Sequence, residues 1–286
     1  MTENNIYQID DFEGFTPEEM HGLLYTPFDL DRSPLILNAG IGRESISQVK
    51  FYHHLLQYLH ALMEQEPLKL TQKGNLPRKF CRELFDLKIY ENDIITKHFQ
   101  KSSLMKENDF PYINLINIIT HLLKFTKKQH GKISLSKKCH KYMSYSTAPT
   151  FYCELLKTYI TKFNWGYFDY YTQSWIIQGG FGFSMFLVQK YGDRTRPIEF
   201  YCDKYLKAFP AHMRDFPDTP YSSGMKQFER CYYIRVFERF LQRFGFIDIE
   251  KKGDFHSMAQ TIIKKDLIDQ VVKWKTSTIP ISNNIQ

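Results

Sequence analysis

No Cys-x-x-Cys pair and no Cys/His set at zinc spacing occurs in this chain. Its five cysteines, at 81, 139, 153, 202 and 231, are odd in number and widely scattered. That argues against both a disulfide framework and a structural zinc site. They read instead as reduced, buried thiols of a cytoplasmic protein. Nucleotide loops are missing too, because Gly179-Gly180-Phe181-Gly182 has neither the Gly-x-Gly-x-x-Gly spacing nor a Lys-Ser/Thr ending. His53 and His54 are followed by Leu-Leu-Gln, which is no metalloprotease pattern. The opening MTENNIYQIDDFEGF is polar and acidic, unlike a secretory signal or an Arg-rich transit peptide. One run, residues 170–189, lacks charge over the roughly 20 residues that a membrane-spanning helix needs. It is too polar and too rich in glycine for lipid, with Gln173, Ser174, Gln178 and Ser184 among glycines 179, 180 and 182. Two buried helical segments joined at a glycine break account for it, so no membrane partner, metal or cofactor is expected.

Positive charge is plentiful but unevenly spread. The 286 residues carry a formal net charge of +7. Residues 1–65 hold 3 Lys and Arg against 10 Asp and Glu, whereas residues 66–145 hold 16 against 7. A basic middle behind an acidic start points toward a polyanionic partner. Part of that basicity fits the Lys-, Ile-, Asn-, Phe- and Tyr-rich usage of an AT-rich genome, which argues solubility rather than function.

Periodicity supplies the elements. Thr16, Pro17 and Glu19 form a capping box that starts a short helix. Tyr52, Leu55, Leu56, Leu59, Leu62 and Met63 lie on one stripe of the first long helix. Residues 68–80, LKLTQKGNLPRKF, read as a brief strand, a turn and a helix entered through Pro77. A helix carrying Ile113, Ile116 and Leu123 runs into two short apolar arms around KQHGK, a β-hairpin. Near the C-terminus, Ile234, Phe237, Leu241 and Phe244 share a helix face and Gly245 ends it; a strand, a KKGD turn and a second strand follow. Helix plus hairpin thus occurs twice clearly and once in reduced form, which suggests duplication.

That order, with the Leu-Thr-x-Lys-Gly phrase, resembles winged-helix proteins. LKLTQKGNLPRKF followed by HLLKFTKKQHGKISLSKKCHKYM also resembles a bacterial family that includes the C-terminal part of plasmid-borne Ri-type open-reading-frame proteins. The similarity covers residues 50–145 and is echoed at 226–268. This chain has Cys139 where that pattern has a second glycine. The family brings no assigned activity, so the resemblance implies a fold and no chemistry.

Winged-helix modules that bind DNA place a helix in the major groove and a wing on the backbone. Three basic groups suit such contacts here. Lys73, Arg78, Lys79 and Arg82 cluster at a helix start, where the helix dipole disfavours them and an anion would relieve them. Lys127, Lys128 and Lys132 lie on the hairpin behind a helix face of Asn114, Asn117, His121 and Lys124, whose amides suit adenine edges. Arg235, Arg239 and Arg243, four apart, form a stripe that suits phosphate and guanine, with Glu229 and Glu238 near enough to pair with it instead. His212, Arg214, Asp215 and Asp218 share a Pro-rich loop, the best remaining place for acid–base chemistry, though surface loop is its default reading.

The sequence therefore predicts a mainly α protein with small β-hairpins (α+β), built from two or three tandem winged-helix-like modules. An acidic extension with a short helix spans 1–46, a tandem winged-helix-like region 47–147, and a helical region ending in another module 148–286. The expected partner is double-stranded DNA, bound without a cofactor. The alternative is a protein-interaction scaffold whose modules do not touch nucleic acid; the two differ in whether the basic groups share a face.

Overall fold

The computed structural model describes residues 7–90, 106–143, 147–167, 169, 171, 175–252 and 259–275. The chain divides into two compact units, one of residues 42–163 and one made of residues 1–41 together with 164–286. The fold is mixed α and β, with helices around small antiparallel sheets.

In chain order, the first elements are helix α1 (Pro17–Tyr25) and strand β1 (Leu35–Leu37). The predicted capping box is present: Glu19 N donates to Thr16 Oγ1 at 3.2 Å and Thr16 N to Glu19 Oε2 at 2.9 Å. The described residues before Gly42 nevertheless pack with the C-terminal half of the chain. β1 pairs antiparallel with the last strand, putting Leu35 opposite Trp274, and Phe15 packs its ring 4.7 Å from Phe186 and 5.7 Å from Trp274. Glu13, almost buried, accepts Lys204 Nζ at 2.7 Å and Lys190 Nζ at 2.9 Å, and also the Tyr191 hydroxyl. Burial alone would raise its pKa, but the hydrogen bonds from Lys204, Tyr191 and Lys190 outweigh it and hold the carboxyl below its ordinary value.

The middle unit contains α2 (Arg43–Ser47), α3 (Lys50–Gln65), β2 (Leu68–Lys69), α4 (Arg78–Asp86), α5 (Pro111–Leu122), β3 (Thr126–Gln129), β4 (Lys132–Leu135), α6 (Lys137–Tyr142) and α7 (Ala148–Thr161). On α3, Tyr52, Leu55, Leu59 and Leu62 of the predicted stripe are buried, Leu56 is half-buried, and Met63 on the last turn is exposed. Phe151 of α7 closes the core against Tyr52 and Phe125, at 5.2 and 5.1 Å. Residues 68–80 are not a module of their own, because β2 joins the later hairpin in a sheet ordered β2-β4-β3.

The second unit resumes with α8 (Trp175–Gly179), α9 (Phe181–Tyr191), β5 (Arg196–Pro197), α10 (Ile198–Ala208), α11 (Gly224–Tyr232), a π-helical segment (Tyr233–Gln242), β6 (Ile247–Lys252), β7 (Ala259–Lys264), α12 (Asp266–Val271) and β8 (Val272–Trp274). The uncharged run is indeed two helices broken at Gly180, where a Cβ would collide with Tyr205. Among the described residues no helix is long and apolar enough to cross a membrane. The expected KKGD turn lies partly outside the described residues, which omit 253–258. All five cysteines are buried and free, and burial raises every thiol, Cys81, Cys139 and Cys231 to about 12 and Cys153 to about 11.

The two units repeat one order: helix, short strand, helix, helix, hairpin, short helix. Both sheets run first strand, third strand, second strand (β2-β4-β3 and β5-β7-β6). The helix before each hairpin ends in the same way. Lys124, with φ 58°, sends its N–H to His121 O at 2.9 Å, and Phe125 N reaches Thr120 O at 2.9 Å. Gly245, with φ 74°, does so to Gln242 O at 3.0 Å, and Phe246 N reaches Leu241 O at 2.9 Å. Each hairpin then closes on that buried phenylalanine, Ser136 N to Phe125 O at 2.8 Å and Lys265 N to Phe246 O at 2.9 Å.

Candidate nucleic-acid interface

Strand register decides which lysines of the middle unit stand together. Leu68 lies opposite Ile133 and Thr126 opposite Leu135, and these four side chains face the core. Alternation along a strand turns the next positions outward. Lys69 lies opposite Lys132, Lys132 opposite Gln129, and Lys127 opposite Ser134, so Lys69, Lys127 and Lys132 share the exposed face. Lys69 and Lys132 are directly cross-strand, with Cβ atoms about 5 Å apart, a like-charge pairing that destabilises a sheet until an anion joins it. Among the described residues none of the three pairs with a carboxylate. The hairpin turns on His130 and Gly131, with φ 50° and 69°, the left-handed pair of a two-residue primed turn.

The turn before α4 is tied to this face. Lys128 reaches across to donate to Gly74 O at 3.1 Å. Thr71 accepts from Gly74 N and Asn75 N at 2.9 and 3.1 Å, which shapes the turn and leaves Lys73 exposed beside the hairpin. Arg78 and Lys79 are exposed on the first turn of α4. Arg82 turns away from them, holding Asp86 at 2.9 Å and lying 5.4 Å over the Phe85 ring. The segment 121–142 contains seven lysines and no Asp or Glu. Of these, Lys138 is taken by Glu154 at 2.8 Å and Leu123 O at 3.1 Å.

Helix α5 has a different role from the one its sequence suggests. Asn117 is buried and gives its amide to Glu107 at 2.7 Å; Asn114 does the same at 3.1 Å, while Tyr58 donates to Asn117 at 3.0 Å. Glu107 also accepts Leu76 N at 2.7 Å. These amides therefore lock the turn and helix together and present no edge to a base.

The C-terminal arginine stripe requires correction. Arg235 is fully buried and holds Asp169 through two hydrogen bonds, with its second nitrogen also donating to Tyr171 O at 2.9 Å. Arg239 and Arg243 are half-buried, and Arg239 lies 3.5 Å from Tyr167 O. The spacing of four assumed α-helical winding, whereas the segment is π-helical with i→i+5 bonding, so residues four apart no longer stack. The 212–218 loop turns His212 inward, with the Asp215 charge acting on it, and uses Asp218 as a helix cap. His212 stacks 5.3 Å from Phe209, burial lowers its pKa to about 4, and Asp218 caps Gly224 N at 2.6 Å.

A family model described as the Y4jL N-terminal domain matches residues 47–148, which lie within the middle unit and span its whole lysine face. No curated protein and no solved structure matches the chain. Sequence reasoning overlooked Lys69, because a two-residue strand shows no alternation to read. It also overlooked Glu107 and Asp169, whose partners are distant in sequence.

Proposed function

We propose that residues 42–163 form a winged-helix-like module that holds the phosphate backbone of double-stranded nucleic acid on its sheet face. The observation that carries this reading is the register that turns Lys69, Lys127 and Lys132 outward together, with Lys73 on the adjoining turn. The element order, with the first strand pairing beside the third, is the arrangement a winged helix requires. Because the exposed positions of α5 offer only Pro111 and His121, recognition is by backbone charge and carries no base readout. Five free buried thiols suit a reducing cytoplasmic setting.

Anisotropy of a labelled duplex across salt concentrations tests it. Lys69→Ala/Lys127→Ala/Lys132→Ala removes three phosphate contacts and lowers the log–log salt slope by about 2.7, at roughly 0.9 per contact. An unchanged slope, or no binding by the native chain at low salt, refutes the reading. One observation favours the scaffold alternative: Tyr221 is 97% exposed on a loop braced by Thr219 N to Ser222 O at 2.9 Å and Gln227 to Pro217 O at 2.8 Å. Tyrosine is among the residue types enriched where interfaces concentrate their binding energy. Under that reading Tyr221→Ala abolishes partner capture and the lysine variant leaves it intact.

A further inference from the structure

We infer that the chain carries two copies of one module and that four exchanged positions confine phosphate contact to the first copy. The inference rests on the phosphate reading above and names the residues that decide it.

The matching helix ends and hairpin closures fix the correspondence residue by residue. Phe125 matches Phe246 and Ser136 matches Lys265, since each pair makes the same backbone bonds. Counting forward from the phenylalanine, Lys127 corresponds to Asp248 and Gln129 to Glu250. Counting back from the closure, Lys132 corresponds to Thr261. The first strand agrees independently: Lys69 pairs with Lys132, and Pro197 pairs with Thr261. Register confirms that these residues share a face, because Asp248 lies opposite Ile263 and Glu250 opposite Thr261, while Ile247 and Ile262 are buried behind them.

The same outward face therefore carries Lys69, Lys127, Gln129 and Lys132 in one copy and Pro197, Asp248, Glu250 and Thr261 in the other. Asp248 and Glu250 are exposed, and Asp248 holds Lys265 at 3.4 Å. Over residues 242–271, which match 121–142, five basic residues are balanced by five acidic ones. A phosphate approaching this second face meets two carboxylates where the first face offers lysine and glutamine. The strand order is the same and the sign of the charge on the face is reversed.

The test transplants the first face onto the second in the full-length chain. Asp248→Lys, Glu250→Gln and Thr261→Lys recreate the residues of the first copy at exposed or half-buried positions and leave Pro197 to begin α10. Binding of a short labelled duplex is then followed by anisotropy for stoichiometry and salt slope, with circular dichroism confirming the fold. The native chain binds one duplex; the transplant binds a second and steepens the slope by about 2, at roughly 0.9 per added lysine. The transplant also restores binding to a chain whose Lys69, Lys127 and Lys132 are alanine. If the transplant folds but keeps the native stoichiometry and slope, the inference fails while the function proposed for the first face stands. If the native chain binds nothing, or the alanine variant binds as the native chain does, both fail.

Discussion

Replacing Arg235 by alanine separates an interior ion pair from a nucleic-acid contact. Both side chains of the Arg235–Asp169 pair are fully buried, and Tyr171 O takes a further guanidinium hydrogen. Truncation leaves the Asp169 carboxylate in the interior without its counter-charge, a change that costs roughly 3–5 kcal/mol. Set against a typical stability of about 5–15 kcal/mol, that is at least a fifth of the total. Urea unfolding followed by circular dichroism should show the midpoint falling in proportion, with little change in slope. The double variant Arg235→Met/Asp169→Leu removes both charges and recovers most of the loss, because an apolar pair of similar volume needs no compensation. The salt slope of duplex binding stays at its native value. A loss below about 1 kcal/mol, or a shallower salt slope at unchanged stability, would refute the burial argument and return Arg235 to the surface.

Glu107→Ala strands the Leu76 N–H and the amides of Asn114 and Asn117, and should cost roughly 3 kcal/mol in thermal or chemical unfolding. Gly245→Ala forces a left-handed φ of 74° on a residue with a side chain and should cost about 1 kcal/mol; Lys124→Gly, at φ 58°, should gain a similar amount. His212, lowered from 6.5 to about 4 by burial, binds its proton more weakly in the folded chain than in the unfolded one. Its contribution to stability is therefore complete above pH 6.5 and is lost as pH falls toward about 4. His212→Gln should flatten that part of the stability–pH curve, and an unchanged curve would assign the dependence to other groups.

Local chemistry made much of this fold legible. The capping box at Thr16 and Glu19, the stripe on α3, the hairpin turning at His130 and Gly131, and the break at Gly180 all depend on residues within a few positions of one another. Pairings across long separations were not readable. β1 is three apolar residues whose partner strand starts at Val272, and β2 and β5 are two residues each, too short for alternation. Nothing in the sequence therefore ties the opening helix to the C-terminal strand or marks Lys69 as part of a sheet face. The π winding around Arg235 has no spacing signature of its own, so an interior arginine shares the pattern of a surface stripe. Likewise Asn114 and Asn117 look like polar surface until Glu107 is brought to them by the fold. Lys73, Lys127, Lys128 and Lys132 could be proposed from sequence, since a turn and a hairpin dense in lysine leave few places to hide charge. Their gathering at one sheet and its adjoining turn needed the strand register.

Lysine reactivity is the most direct probe of the sheet face. The native chain is acetylated at low salt with and without excess duplex, and each lysine is quantified by mass spectrometry. Duplex should protect Lys69, Lys127 and Lys132, with Lys73 beside them, and leave Lys251 and Lys273 of the other unit as reactive as they are without it. Equal modification of the first group with and without duplex, or protection confined to the other unit, would overturn the phosphate-binding reading of the sheet.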